Sequence, residues 1–251
     1  MSVLALRLGG PLQAWGSPQR LDAWRRTEHT PTKSAVVGIA AAALGRRRNA
    51  DLSDLAALRF GVRADRPGGL IEDFHTVSSI FDDKGRLAPG RGRLPTAAGG
   101  HLSAEVSTKI TRRHYLADAC FVAALEGEYE TVRAVDEALA SPAFPLYLGR
   151  RCCPPDRPLR LGVYDGTLEE VLASLSWQAT PRRGDPDHIH CEVLVEDPAG
   201  DLVSVDQPRG FHPVSRSYGR RASKAYAVTL PNPTAAGGVG DGHDPMALLG
   251  G

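Results

Sequence analysis

The order of the periodic segments constrains the fold of this chain more than any single motif does. "VLALRLGG" (residues 3–10) alternates Leu4, Leu6 and Leu8 with Ala5 and Arg7, which predicts a half-buried strand ending at Gly9-Gly10. In "TPTKSAVVGIAAAALG" (30–45), Val36, Ile39, Ala40, Ala43 and Leu44 make one helical stripe. Thr32 can cap that helix and Gly45 can end it in the left-handed conformation. "LRFGVRA" (58–64) reads as a second strand, and "IEDFHTVSS" (71–79) and "AEVSTKITRRHY" (104–115) are extended in character. "CFVAALEG" (120–127) is a buried strand, "ETVRAVDEALASP" (130–142) a helix presenting Val132, Val135 and Leu139, and "FPLYLG" (144–149) a short strand.

Strand, helix, strand, excursion, strand, helix, strand is the β-α-β-β-α-β order of ferredoxin-like and RNA-recognition folds. The predicted class is therefore α+β, with a ferredoxin-like domain over residues 1–155. Residues 78–107, loaded with Gly, Pro and Arg, interrupt it as a long loop or the tip of a hairpin arm. After the break "CCPPDRPLR", a smaller, mainly β unit is expected over 156–231. It opens with a Thr167/Glu170 capping box, continues through a hairpin in "CEVLVEDPAGDLVSVD", and closes on a strand in "AYAVTLP". Residues 232–251, glycine-rich and poor in apolar side chains, read as a disordered tail.

Composition narrows the function classes. The chain has 251 residues and a formal net charge of +1, but the charges are segregated. Lys84, Arg86, Arg91, Arg93, Lys109, Arg112 and Arg113 face the single acid Glu105 across residues 84–113, and residues 207–224 carry five bases and no acid. Such segregation presents a basic face despite neutral bulk charge. No apolar run reaches the roughly 18 residues of a membrane span, and "MSVLALRLGG" lacks a signal-peptide pattern, so a cytoplasmic location is expected. Cys120, Cys152, Cys153 and Cys191 form no CxxC pair, which points to reduced thiols in or near a core rather than a metal site.

Among chemical motifs, Lys33-Ser34 at a helix start imitates a P-loop, but Thr32 stands where the second glycine belongs, so the phosphate wrap cannot form. The helix end still offers free N–H groups, the Thr32 and Ser34 hydroxyls and the Lys33 ammonium to an anion. The stretch alone favours a capped helix with a surface lysine. His75, Lys109, His114 and Tyr115 could supply metal-independent RNA cleavage by general acid–base action, although no spacing marks such a site.

Six blocks in order carry a family resemblance: "LRLGGPLQAWG", "TPTKSAVVGIAAAALGRRR", "DFHTV", "RRHYLADACFVAALEG", "FPLYLGRRCCPP" and "GFHPVSRSYGRR". Over residues 4 to 231 the chain resembles the CasD family, the subunits of type I-E CRISPR Cascade that hold the 5′ handle of the CRISPR RNA (crRNA). The resemblance implies an RNA-recognition-like fold with a thumb-like β-hairpin at 78–107, a non-catalytic role and no cofactor or metal. It implies as partners the crRNA 5′ handle, the backbone subunit CasC, the large subunit CasA and, in the assembled complex, target DNA. It assigns RNA binding to Trp15, Gly16, Arg26, Thr32, Lys33, Ser34, His75, Thr108, Lys109, Arg112, Gly149, Arg150 and Arg151, with Arg86, Arg91 and Arg93 as thumb contacts. Arg46-Arg47-Arg48 is left as a dipole-capping or partner surface. Single-stranded handles are read on aromatic and arginine planes, for which Trp15, Phe81, Tyr115 and Tyr218 are available; for Trp15, platform and core readings stand level. Related type I-C subunits are endoribonucleases, which keeps the His/Tyr/Lys alternative open.

Overall fold

The computed structural model describes residues 1–16, 24–78, 99–101, 108–212 and 216–233. Phe81, Arg86, Arg91 and Arg93, most of the expected arm and nearly all of the expected tail lie outside the described residues. Among the described residues, eleven strands and four helices follow in chain order: β1 (Ser2–Gly9), β2 (Leu12–Gln13), β3 (Trp24–Arg25), α1 (Lys33–Ala43), α2 (Ser53–Ala57), β4 (Arg59–Arg66), β5 (Gly69–Ser78) and β6 (Thr108–Ala117). Then come β7 (Cys120–Gly127), α3 (Tyr129–Ala140), β8 (Arg160–Asp165), α4 (Leu168–Ser174), β9 (His188–Glu196), β10 (Leu202–Gly210) and β11 (Ser217–Pro231).

A seven-stranded antiparallel sheet, in the order β10-β11-β9-β4-β7-β1-β8, is the backbone of the molecule. β1 is not half-buried as its alternation suggested; all eight residues are buried, because helices cover both faces of the sheet. Leu4, Leu6 and Leu8 pack into the cluster under α1 and α3, while Val3 and Ala5 pack with Leu168, Val171 and Leu172 of α4. Arg7 survives in this strand because its guanidinium meets Asp156 at 2.5 and 3.1 Å and the Gln178 carbonyl at 3.0 Å.

Local signals are realised where they were strong. Thr32 Oγ1 accepts from Ala35 N at the start of α1, and Gly45 adopts φ +72° beyond its end. Thr167 and Glu170 close the reciprocal capping box of α4. Two expectations are corrected, the strand at "FPLYLG" and the hairpin in "CEVLVEDPAGDLVSVD". "FPLYLG" is not a strand: Leu148 N donates to Cys153 O (2.7 Å), Leu148 O accepts from Ala14 N (3.1 Å), and Pro145 has no N–H, so the segment has no ladder to offer. Its expected place beside β1 is taken by β8. The break at 155/156 therefore cuts between α3 and the edge strand that completes the β4-β7-β1-β8 sheet, and β9 extends that sheet directly from β4. Finally, β9 and β10 do not pair as a hairpin; the 15-residue β11 lies between them, with Ser223 opposite both Glu196 and Leu202.

A second sheet projects from the first. β5 and β6 pair over ten consecutive positions, from Gly69 opposite Ala117 to Ser78 opposite Thr108, and β6 also carries β2 and β3 on its other edge. Gly68 makes the entry to this ribbon possible: at φ +75° a Cβ there would stand 2.4 Å from Ala117 O.

Candidate nucleic-acid interface

α1 turns Thr32, Ser34, Ala35 and Gly38 toward a groove of about 1010 Å³. Arg46, Arg47, Arg48, Arg151 and Arg216 line it with cations, and Phe144, Tyr147, Phe211 and Tyr218 add aromatic walls. Arg46 is neutralised by Asp54. Arg47, Arg48, Arg151 and Arg216 have no acid partner among the described residues. Gly149 sets the loop that carries Arg151: at φ +86° its backbone passes so close to Ala14 that a Cβ would lie 1.7 Å from Ala14 O. Gly16, Thr32, Ser34, Gly149 and Arg151, five of the expected contact residues, thus share one concavity.

The ribbon supplies a second surface. On one face of β6, the Arg112 guanidinium lies 4.8 Å from the centre of the Trp24 ring and 5.8 Å from that of Phe74, and His114 stacks on Trp24 at 6.4 Å. Trp24 and Phe74 are 47% and 54% exposed, so two aromatic faces remain open beside a cation. Glu72 holds the platform together, accepting from Arg112 at 3.0 Å and lying 3.4 Å from His114. Trp24 and Phe74 are not among the expected contact residues; for Trp24 the Trp24-Arg25-Arg26 run, an aromatic beside two arginines, is the sequence signal.

Two expected contacts are withdrawn from the surface. Trp15 is fully buried and donates Nε1–H to Gln13 Oε1 at 3.2 Å, so no base can stack on it; the core reading wins. Lys33 is 1% exposed and its Nζ donates to Glu196 at 2.9 and 3.2 Å. The free N–H of Lys33 is already bound by Asp206 Oδ2 at 2.8 Å, and Asp206 in turn accepts two bonds of 2.9 Å from Arg221. The anion at this helix N-terminus is a side chain of the same protein, which satisfies both the orphan donor and the helix dipole. Burial pulls the Lys33 ammonium below the ordinary lysine range even though Glu196 opposes that shift. Replacing Lys33 with Met should therefore cost stability: it leaves Glu196 partly buried without its cation. Because Glu196 keeps some solvent contact, about 2 kcal/mol is expected rather than the full cost for a buried pair, or roughly 5 °C in Tm. The salt dependence of RNA binding should not change, and a lowered slope would return Lys33 to the interface.

His75, Lys109, His114 and Tyr115 do not converge. Strand alternation sends His114 to the Trp24 face and Tyr115 to the opposite one, and Tyr115 lies six steps along β6 from Lys109, roughly 20 Å. Tyr115 is buried with its hydroxyl 3.5 Å from Cys152 Sγ, and burial raises its pKa. His75 is engaged by Asp73. Cys120, Cys153 and Cys191 are buried free thiols, pushed up by burial to about 12, 12 and 11, whereas Cys152 is exposed. Among the described residues no helix is long and apolar enough to cross a membrane.

An α+β scaffold that holds arginines unpaired along a groove and exposes an aromatic-cation platform is that of a nucleic-acid-binding protein. The family described as "CRISPR-associated protein (Cas_Cas5)" matches residues 3–224, and the chain belongs to this family. The resemblance to the CasD family is borne out: the chain is 36% identical over 224 residues to the CRISPR system Cascade subunit CasD of Escherichia coli (strain K12), covering 84% of each. Among solved structures it is similar to a chain of a "CRISPR RNA-guided surveillance complex", with a TM-score of 0.75, 32% identity, and coverage of 98% of this chain and 97% of that one. It is also similar to a chain titled "Crystal structure of Cas protein", with a TM-score of 0.68, 33% identity, and coverage of 92% and 99%.

Proposed function

We propose that this chain is a non-catalytic, RNA-binding subunit of a type I-E Cascade surveillance complex, which caps the 5′ handle of the crRNA. The observation that carries this reading is the groove beside α1, where Arg47, Arg48, Arg151 and Arg216 have no acid partner among the described residues and so can meet phosphates. The Trp24–Arg112–Phe74 platform adds what a single strand needs and a duplex cannot use, open faces for unstacked bases. In this reading β4-β7-β1-β8 with α1 and α3 is a ferredoxin-like core, and β5 with β6 is the base of the thumb expected over residues 78–107, most of which lie outside the described residues. Arg86, Arg91 and Arg93 would act from that thumb. CasC and CasA would be the neighbouring subunits, target DNA would be met only in the assembled complex, and the site of action would be the cytoplasm.

Titration of labelled single-stranded handle RNA with the full chain tests this. Binding to the single strand should exceed binding to the same sequence in a duplex, and the RNA should remain intact with or without EDTA. Equal affinity for both forms would remove the single-strand reading. Specific cleavage lost in His114→Ala or His75→Ala would replace the structural role with an endoribonuclease.

A further inference from the structure

We propose that Cys152 and Cys153 form an oxidant-reactive dithiol: Cys152 reacts first with a hydroperoxide, and Cys153 then closes a reversible disulfide with it. The inference does not rest on the RNA-binding reading above; it starts from the spacing of two sulfur atoms. The Sγ atoms of Cys152 and Cys153 lie 4.0 Å apart. Neighbouring side chains on an extended segment point to opposite sides, so this approach requires a turn. The sequence supplies one. Gly149 takes φ +86°, Cys153 N donates to the Arg150 carbonyl at 2.9 Å, and the Cys153 carbonyl accepts from Leu148 N at 2.7 Å. Cys153 is thus held through both its backbone groups, and Pro154 and Pro155 stiffen the chain that leaves it.

The two thiols stand in different surroundings. Cys152 is exposed, whereas Cys153 is fully buried in the main core cluster beside Leu148. The species that attacks a peroxide is a thiolate, and burial pushes the Cys153 thiol up to about 12. Oxidation therefore starts at Cys152, with the Tyr115 hydroxyl 3.5 Å from its Sγ as a donor to the developing charge. Cys153 is then the resolving group. Cys120 and Cys191 cannot take that part, because they lie in a separate buried cluster with Trp177 and Leu230. Two sulfurs alone fall short of the tetrahedral set of a structural zinc site. Among the described residues no group of three or more His, Cys, Asp or Glu could hold a metal ion. The pair suits an electrophile, not a cation.

The steps balance. The Cys152 sulfur attacks the terminal oxygen of the hydroperoxide, the O–O bond breaks, and the departing alkoxide takes up the thiol proton and leaves as an alcohol (water, for hydrogen peroxide). Sulfur is oxidised to a sulfenic acid and the peroxide is reduced. The Cys153 sulfur then attacks the sulfenic sulfur, an S–S bond forms, and the hydroxyl departs as water with the Cys153 proton. Consecutive Cα atoms are only about 3.8 Å apart, below the roughly 4.4–6.8 Å spanned by ordinary disulfides. The bridge is therefore strained, and a free thiol opens it again.

The test treats the reduced full chain with hydrogen peroxide, alkylates the remaining thiols and digests with trypsin, which cuts after Arg151 and leaves both cysteines in one peptide. In the wild type that peptide should lose the two thiol hydrogens, and glutathione should restore them. In Cys153→Ala the bridge should be absent and dimedone should trap Cys152 as its sulfenic acid, a label the wild type should not retain. In Cys152→Ser, Cys153 should stay reduced. The wild-type measurement needs no variant, so it decides the matter even if Cys153→Ala folds poorly. A wild type in which Cys152 runs on to sulfinic acid, or bridges to a second chain while Cys153 stays reduced, would overturn the proposal. Equal dimedone labelling of wild type and Cys153→Ala, or no reaction at Cys152 at all, would overturn it too. None of these outcomes bears on the RNA-binding reading, which the handle titration tests separately.

Discussion

Arg63→Leu is expected to be among the most destabilising single substitutions in this protein. Arg63 and Asp65 both point from β4 with no solvent exposure of their side chains. The guanidinium Nε donates to Asp65 Oδ1 at 2.6 Å and Nη2 to Oδ2 at 3.1 Å. Its remaining donors cap the end of α4, reaching the Leu172 carbonyl, the Leu175 carbonyl at 2.7 Å and the Ser176 carbonyl at 3.0 Å. A short helix leaves its last carbonyls without intrahelical partners, and a cation there also meets the negative end of the dipole. Asp65 Oδ2 accepts from Gln178 N at 2.6 Å and the Asp65 carbonyl from Trp177 Nε1 at 2.8 Å, so the same pair anchors the chain leaving α4. Leucine fills the volume but strands a buried carboxylate and three carbonyls. Removing one partner of a buried pair costs about 3–5 kcal/mol, which in a protein of this size lowers Tm by roughly 10 °C or more. Asp65→Asn, which retains an acceptor for Arg63, should cost less. A thermal melt of both variants checks the order, and equal or negligible shifts would show that the clamp contributes nothing to stability.

The contrast between Arg63 and the readable features shows what a sequence can disclose. Thr32, Gly45 and the Thr167/Glu170 box act within four residues of themselves, so their spacing carries the whole message. Leu4, Leu6 and Leu8 were legible as a strand face, but not the burial of the opposite face, because α4 arrives some 160 residues later in the chain. Lys33 is the sharpest case. Its chemical environment is set by Glu196 and Asp206, at sequence separations of 163 and 173, and no local pattern announces them. The hairpin expected between β9 and β10 failed for the same reason: the turn residues were right for reversal, but the competing strand, β11, lies beyond both. Arg46, Arg47 and Arg48 looked equivalent as dipole caps. Only Asp54, placed by the unforeseen helix α2, separates the neutralised Arg46 from the two cations that remain free.

Those free cations carry the largest functional effect to be expected. The triple variant Arg47→Gln, Arg48→Gln, Arg151→Gln should reduce affinity for single-stranded handle RNA by about 100-fold at 0.1 M salt. The size follows from counterion release: each phosphate neutralised on a single strand contributes about 0.7 to the slope of log K against log salt, so three contacts amount to about two units of slope. The loss should be nearly independent of base sequence, because guanidinium–phosphate contacts position the strand without reading it. Stability should hardly move, since none of the three side chains has an acid partner among the described residues whose charge would be stranded. Arg46→Gln is the internal control from the same loop. It breaks the exposed pair with Asp54, worth little in stability, and should leave the salt slope near that of the wild type. Fluorescence anisotropy from 50 to 400 mM salt measures the slopes of the wild type, the triple variant and Arg46→Gln. If the triple variant keeps the wild-type slope, the RNA does not run along α1. The platform formed by Trp24, Arg112 and Phe74 would then be the principal contact, and Trp24→Ala would have to carry the loss instead.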